Sequence, residues 1–140
     1  MTETLAAYSH ALMSVALFAV LCQVLSALLA PRLSKAGHAP GTVPPVNYDD
    51  PVFRLFRSYH NSVDSMGPFA AAVVAAVLAG ASPFWVNLLA SLGLLARLGV
   101  VACYVPGIGK NEFGPRTFAY IFQSAMTILL GLLAAGTLLF

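Results

Sequence analysis

Met66–Ala96 reads MGPFAAAVVAAVLAGASPFWVNLLASLGLLA and contains no Lys, Arg, Asp or Glu. That run exceeds the ~20 residues one helix needs to cross a hydrocarbon core of about 30 Å. Within it Gly80-Ala81-Ser82-Pro83 is a turn signal, and Pro83 suits the first position of a following helix. The run therefore belongs to two spans that turn back on each other. Leu5–Ala30 and Thr117–Phe140 are equally free of charged residues, and each is long enough for one further span. Four transmembrane helices are predicted, over about 5–31, 50–80, 83–105 and 115–138. The fold class is all-α, an integral-membrane four-helix bundle with up-down topology.

Composition agrees. By its length of 140 residues the chain is a single domain, 1–140, yet it is 59% hydrophobic with a mean hydropathy of +0.84. Those values lie outside the range of soluble domains. So apolar a chain, with a net charge of only +2, is no nucleic-acid binder. The first span is too long, and His10 and Gln23 too polar, for a cleavable signal peptide.

The basic residues orient the bundle. Arg32 and Lys35 lie between the first two spans, and Lys110 and Arg116 between or at the edges of the last two. The middle connection is uncharged and the amino terminus carries Glu3 alone. By the positive-inside rule the first and third connections are cytoplasmic and both termini lie on the opposite side. Lys35 and Lys110 are read as snorkelling to headgroups. Cys22 and Cys103 fall inside spans without metal-ligand spacing and are read as small buried thiols. The three histidines are scattered, and only His60 falls where it could join a site.

The site is sought in a polar stripe. Arg54, Arg57, Asn61 and Asp64 stand at offsets 0, 3, 7 and 10 at the head of the second span. At about 100° per residue they share an arc of roughly 80° over nearly three turns. Charges at the bilayer centre cost about 2.5–3.5 kcal/mol or more, so these residues must face other helices, a wet cavity or a ligand. Asp50 caps the start, with Pro51 at the first helical position. Further on, Ala70, Ala71, Ala72, Ala75, Ala76, Ala79 and Gly80 offer a small-residue packing surface. The third span carries Arg97 and Tyr104, seven apart and so within about 20° of each other. The fourth opens on Gly114-Pro115-Arg116 and aligns Tyr120 and Gln123 with Arg116. Three spans thus bring polar stripes to one side of the membrane, and a surplus of arginines there points to an anionic ligand.

With these residues in place the chain resembles the MAPEG proteins, membrane-associated proteins in eicosanoid and glutathione metabolism, in their bacterial type. Arg54-x-x-Arg57-x-x-x-Asn61-x-x-Asp64 is similar to the R-x-x-x-N-x-x-E pattern of the glutathione-using members, with Asp in place of Glu. Arg97 and Tyr104 match the family's spacing in the third helix, and Arg116 matches its catalytic arginine, followed here by Thr117. Gln23-Val24-Leu25-Ser26, running towards Arg32, looks like the family's first helix. The resemblance covers essentially the whole chain. It implies a homotrimer that binds glutathione as co-substrate between subunits and takes a lipophilic small molecule from the bilayer, with membrane lipid around it.

On that reading Arg116 is the catalytic residue and glutathione is bound by Arg32, Arg54, Arg57, Asn61, Asp64, Arg97, Tyr104 and Gln123. The chemistry suits these residues. Arginines hold carboxylates bidentately, Asp64 takes the ammonium, and Asn61 and Gln123 pair with peptide groups. Arg116 stabilises the thiolate that attacks an electrophile or hydroperoxide. Two alternatives stand beside this transferase or peroxidase. One is a non-catalytic lipid-binding or scaffold protein of the same fold, like the family's lipoxygenase-activating branch. The other is a transporter subunit, against which the distal half of every span is almost free of ionisable groups.

Overall fold

Proline opens three helices and a glycine turn closes two of them. A computed structural model describes residues 2–39, 41–108 and 114–140. Its helices are α1 (Thr2–Ala6), α2 (Ser9–Lys35), α3 (Pro51–Leu78), α4 (Pro83–Tyr104) and α5 (Pro115–Leu139), with no strand among the described residues. Pro51, Pro83 and Pro115 each take the first helical position, where the missing N–H removes no intrahelical bond. The Asp50 carboxylate accepts from Val52 N–H at 2.9 Å, the expected cap. Gly80, at φ +70°, ends α3 as the predicted turn requires, with Ala81 N–H reaching back to Ala76 C=O at 3.0 Å.

The last four helices are each long and apolar enough to cross a membrane, so the chain is an integral multi-pass membrane protein. The first predicted span differs from what folds. It is interrupted at Ala7-Tyr8 and runs on through Pro31 to Lys35. The interruption comes from α4. Asn87 Nδ2 donates to Ala7 C=O at 2.7 Å, and Asn87 Oδ1 accepts from Ala11 N–H at 2.9 Å. Ala7 and Ala11 would be i and i+4 partners in a continuous helix, so the amide is spliced into the ladder and the chain bends there. Tyr8 OH donates to Ala81 C=O and anchors the same bend.

The helices stand at the corners of a square. α2 packs on α3 and α4, α5 packs on the same pair, and α2 and α5 face each other across the diagonal. In lipid such a bundle is held by close packing and dispersion more than by removal of apolar surface from water. The larger core joins Phe18, Phe69, Val73, Ala76, Val86, Ala90 and Leu130. Phe18 and Phe69 are tilted rings 5.4 Å apart. α3 and α4 approach closely at Gly93, where an added Cβ would lie 2.9 Å from Phe69 Cε2. Of the small-residue surface, Ala76 is buried here, while Ala71 and Ala75 face outward. A smaller cluster of Leu25, Leu29, Leu33, Leu55 and Phe56 closes the other end, between α2 and α3. The basic residues gather at that end.

Candidate functional site

α3 runs from the basic end inward, so Arg57, Asn61 and Asp64 step down one face at about one turn each. α4 returns to the same end and delivers Arg97 and Tyr104, and α5 leaves it with Arg116, Tyr120 and Gln123. Arg57, Asn61, Tyr104 and Arg116 meet around a cavity of about 200 Å³, completed by Tyr48, Val100, Thr117 and Tyr120. The Arg116 guanidinium carbon lies 4.6 Å above the centre of the Tyr104 ring. Tyr104 is buried, so its fixed ring face aims the cation.

Asp64 and Gln123 meet in a second cavity of about 260 Å³, with Ser65, Pro68, Tyr120, Ser124, Thr127 and Ile128. Tyr120 borders both. Each is smaller than the roughly 300–1,000 Å³ of ordinary ligand sites, and with Tyr120 as their common wall the pair forms a two-chambered trough. Cations occupy its outer end and a carboxylate its inner end. Arg57, Asp64 and Tyr120 are exposed, so the trough opens sideways between α3 and α5.

Arg97 lies behind this trough and has no exposed surface. Its Nη2 donates to Ser65 Oγ and, at 2.6 Å, to Gln123 Oε1, while Nη1 reaches Asn61 Oδ1 at a long 3.5 Å. The guanidinium also lies 5.6 Å from the Phe18 ring centre and 5.9 Å from that of Tyr120. Its Nε has no partner. Arginine only donates, so it draws the oxygens of both amides towards itself. Gln123 Nε2 then donates to Thr127 Oγ1 at 3.1 Å, and Asn61 borders the cavity. Arg97 therefore orients the wall without lining it.

The remaining expected residues lie elsewhere. Arg32 is exposed in the last turn of α2 and borders neither cavity. Arg54 shares the stripe with Arg57 but turns up to the connections: Nη1 donates to Tyr48 and Asp49 C=O, and Nε to Val105 C=O. His60 is exposed and lies tilted against Phe56 with ring centres 4.2 Å apart, outside both cavities. Lys110 lies outside the described residues. Cys22 and Cys103 are free thiols, buried and half-buried. Among the described residues no group of His, Cys, Asp and Glu is arranged to hold a metal.

Two wall residues escape the sequence-level site. Tyr120 was visible at four residues from Arg116, on the same face, without any sign that it borders both cavities. Tyr48 precedes the Asp49-Asp50-Pro51 helix start and gives no periodic signal at all. Larger grooves lie apart from the cations. One of about 580 Å³ runs past Val20, Cys22, Val24 and Val63, and one of about 600 Å³ past Leu92, Leu95, Phe118 and Phe122. Their walls are almost wholly apolar and suit acyl chains.

Neither a curated protein nor a solved structure matches this chain. A family model does, and it takes in nearly all of the four long helices and every residue of the trough. The match to the MAPEG family covers residues 10–136, nearly the whole length, and the chain belongs to that family.

Proposed function

We propose that the protein is a glutathione-dependent membrane enzyme of transferase or peroxidase type, acting on a lipophilic electrophile or hydroperoxide. The MAPEG family contains such enzymes as well as non-catalytic members. The observation that carries the catalytic reading is the trough, with Arg57 and Arg116 at one end and Asp64 at the other. Glutathione has two carboxylates, an ammonium and a thiol, and this spacing of charge complements it. Arg57 takes a carboxylate, Asp64 the ammonium, and the Asn61 NH₂ a peptide or carboxylate oxygen.

Arg116 stabilises the thiolate. It stands at the start of α5, where the helix dipole adds to its cation. In conjugation the thiol proton leaves to water, a sulfur lone pair forms the C–S bond, and the leaving group departs with its electron pair. The apolar partner arrives through the bilayer. Thr117 adds a hydroxyl beside Arg116.

The exposed Asp64, about 20 Å down α3 from Pro51 by helical rise, is unsuited to lipid and supports a cover supplied by further copies. A homotrimer, with Arg32 serving a neighbouring copy, is the proposed assembly. The basic end is proposed to be cytoplasmic. A reporter active only in the cytoplasm and fused after Phe140 is then silent, and activity there overturns this orientation.

The direct test is calorimetric titration of the detergent-solubilised protein with glutathione, followed by turnover against a panel of electrophiles and hydroperoxides. Binding with turnover supports the enzyme. Binding without turnover of any panel member favours the non-catalytic reading, and the absence of binding overturns the glutathione site.

A further inference from the structure

Arg54 occupies the first turn of α3, where a cation opposes the helix dipole. Its side chain escapes by reaching across to the last turn of α4, the negative end of that helix. Nε donates to Val105 C=O at 3.2 Å, and Nη1 donates to Tyr48 C=O at 3.0 Å and to Asp49 C=O at 2.9 Å. Gly107, at φ +83°, leaves room for it: an added Cβ would lie 3.1 Å from both Cζ and Nε of Arg54. Two segments far apart in sequence, 48–49 and 105–107, therefore meet on one guanidinium.

Each segment includes or adjoins a tyrosine of the trough. Tyr104, under Arg116, immediately precedes Val105. Tyr48 packs edge-on against Phe53 with ring centres 5.2 Å apart, and it borders the cavity with Arg57 and Arg116. We propose that Arg54 is a positioning residue that straps Tyr48 over the mouth of the trough, and that Tyr48, not Arg54, contacts the ligand there. The phenol supplies a hydroxyl donor to an anionic group held by Arg57, and its ring shields that group from water. This inference rests on the glutathione reading of the trough.

The test combines three measurements on the intact protein. The variants are Tyr48→Ala, Arg54→Gln and the double variant. The measurements are the glutathione dissociation constant, the ultraviolet thiolate band at saturating glutathione, and the fluorine spectrum of 3-fluorotyrosine placed at position 48. Each single variant is expected to weaken binding about 10-fold, the loss of one hydrogen-bonded contact. The double variant is weakened no more than Arg54→Gln alone, because the arginine acts through the tyrosine. At saturation the thiolate band is unchanged, since Arg116 keeps its place on Tyr104. In the ligand-free protein Arg54→Gln moves the fluorine signal to that of a mobile tyrosine.

Additive losses of about 100-fold in the double variant overturn the strap, and so does an unmoved fluorine signal. A parent that binds glutathione while Tyr48→Ala binds it equally well overturns the contact and leaves the glutathione site standing. A parent that binds none removes the glutathione reading and the contact with it, and the fluorine signal alone then decides the strap. Should Arg54→Gln fail to assemble, Arg54→Lys, which loses the planar fork, is read by the same criteria.

Discussion

The two ends of the bundle use the same kind of side chain for opposite purposes. At the end bearing the amino terminus, Asn87 has both halves of its amide engaged by the Ala7 and Ala11 backbone, and Tyr8 OH is bound to Ala81. At the basic end Asn61 receives one long contact from Arg97 and borders a cavity shared with Arg57, Tyr104 and Arg116. The first arrangement closes a fold. The second gathers polar side chains around a cavity instead of pairing them off against backbone.

The comparison is broken most severely at Arg97, which lies between the two ends. Arg97→Met removes the donor from Gln123 Oε1 and Ser65 Oγ and leaves both with a buried partner missing. Stability in detergent is expected to fall by on the order of 3 kcal/mol, read as a lowered thermal midpoint. An unchanged midpoint would show that the hub is not structural.

Next in size is Arg116. Lowering a thiol pKa from about 8.5 to about 6.5 takes roughly 2.7 kcal/mol of preferential thiolate stabilisation. Arg116→Ala should lower turnover about 100-fold and abolish the ultraviolet thiolate band, with a smaller loss of glutathione affinity and no loss of midpoint. Arg116→Lys should restore part of the band, because a point charge suffices for a sulfur anion. Retention of the full band in the alanine variant would overturn the role of Arg116 at the thiol.

The smallest effects separate the two asparagines. Asn61→Ala, like Arg57→Ala, is expected to weaken glutathione binding by roughly 10- to 150-fold without moving the thermal midpoint. Asn87→Ala should leave binding unchanged and lower stability by about 1 kcal/mol, since the Ala7–Ala11 bond can re-form in its absence. If both variants lose affinity equally, the division between a closed end and an open end is wrong.

Much of this was legible in the chain because it is local. The charge-free run split at Gly80–Pro83, the Asp50 cap and the proline starts each depend on neighbours within a turn, and the spans formed within a few residues of expectation. Arg57, Asn61, Tyr104 and Arg116 converge as the stripe implied, because α3, α4 and α5 each place their polar face by the same 3.6-residue period. The misses are non-local. Nothing near Tyr8 predicts a break, since the agent is an amide on α4. Periodicity puts Arg54 on the face of Arg57, but a long side chain near a helix end can reach up or down, and carbonyls at the end of α4 decided the direction. Arg97 was placed among the ligand contacts because spacing gives an angle about the helix and no depth.

Gly93 bears on the site from a turn away. It lies four residues before Arg97 on α4, and Phe69, which it nearly touches, lies four residues after Ser65 on α3. The glycine and the phenyl ring thus form the step directly below the guanidinium and the hydroxyl, on the same two antiparallel helices. The gap between those helices is set by a hydrogen atom where any other residue would place carbon. Helix spacing at this step bears on the Arg97–Ser65 bond, which crosses between the same two helices one turn away. The seat of the buried cation behind the trough therefore depends on steric clearance at a residue with no side chain of its own.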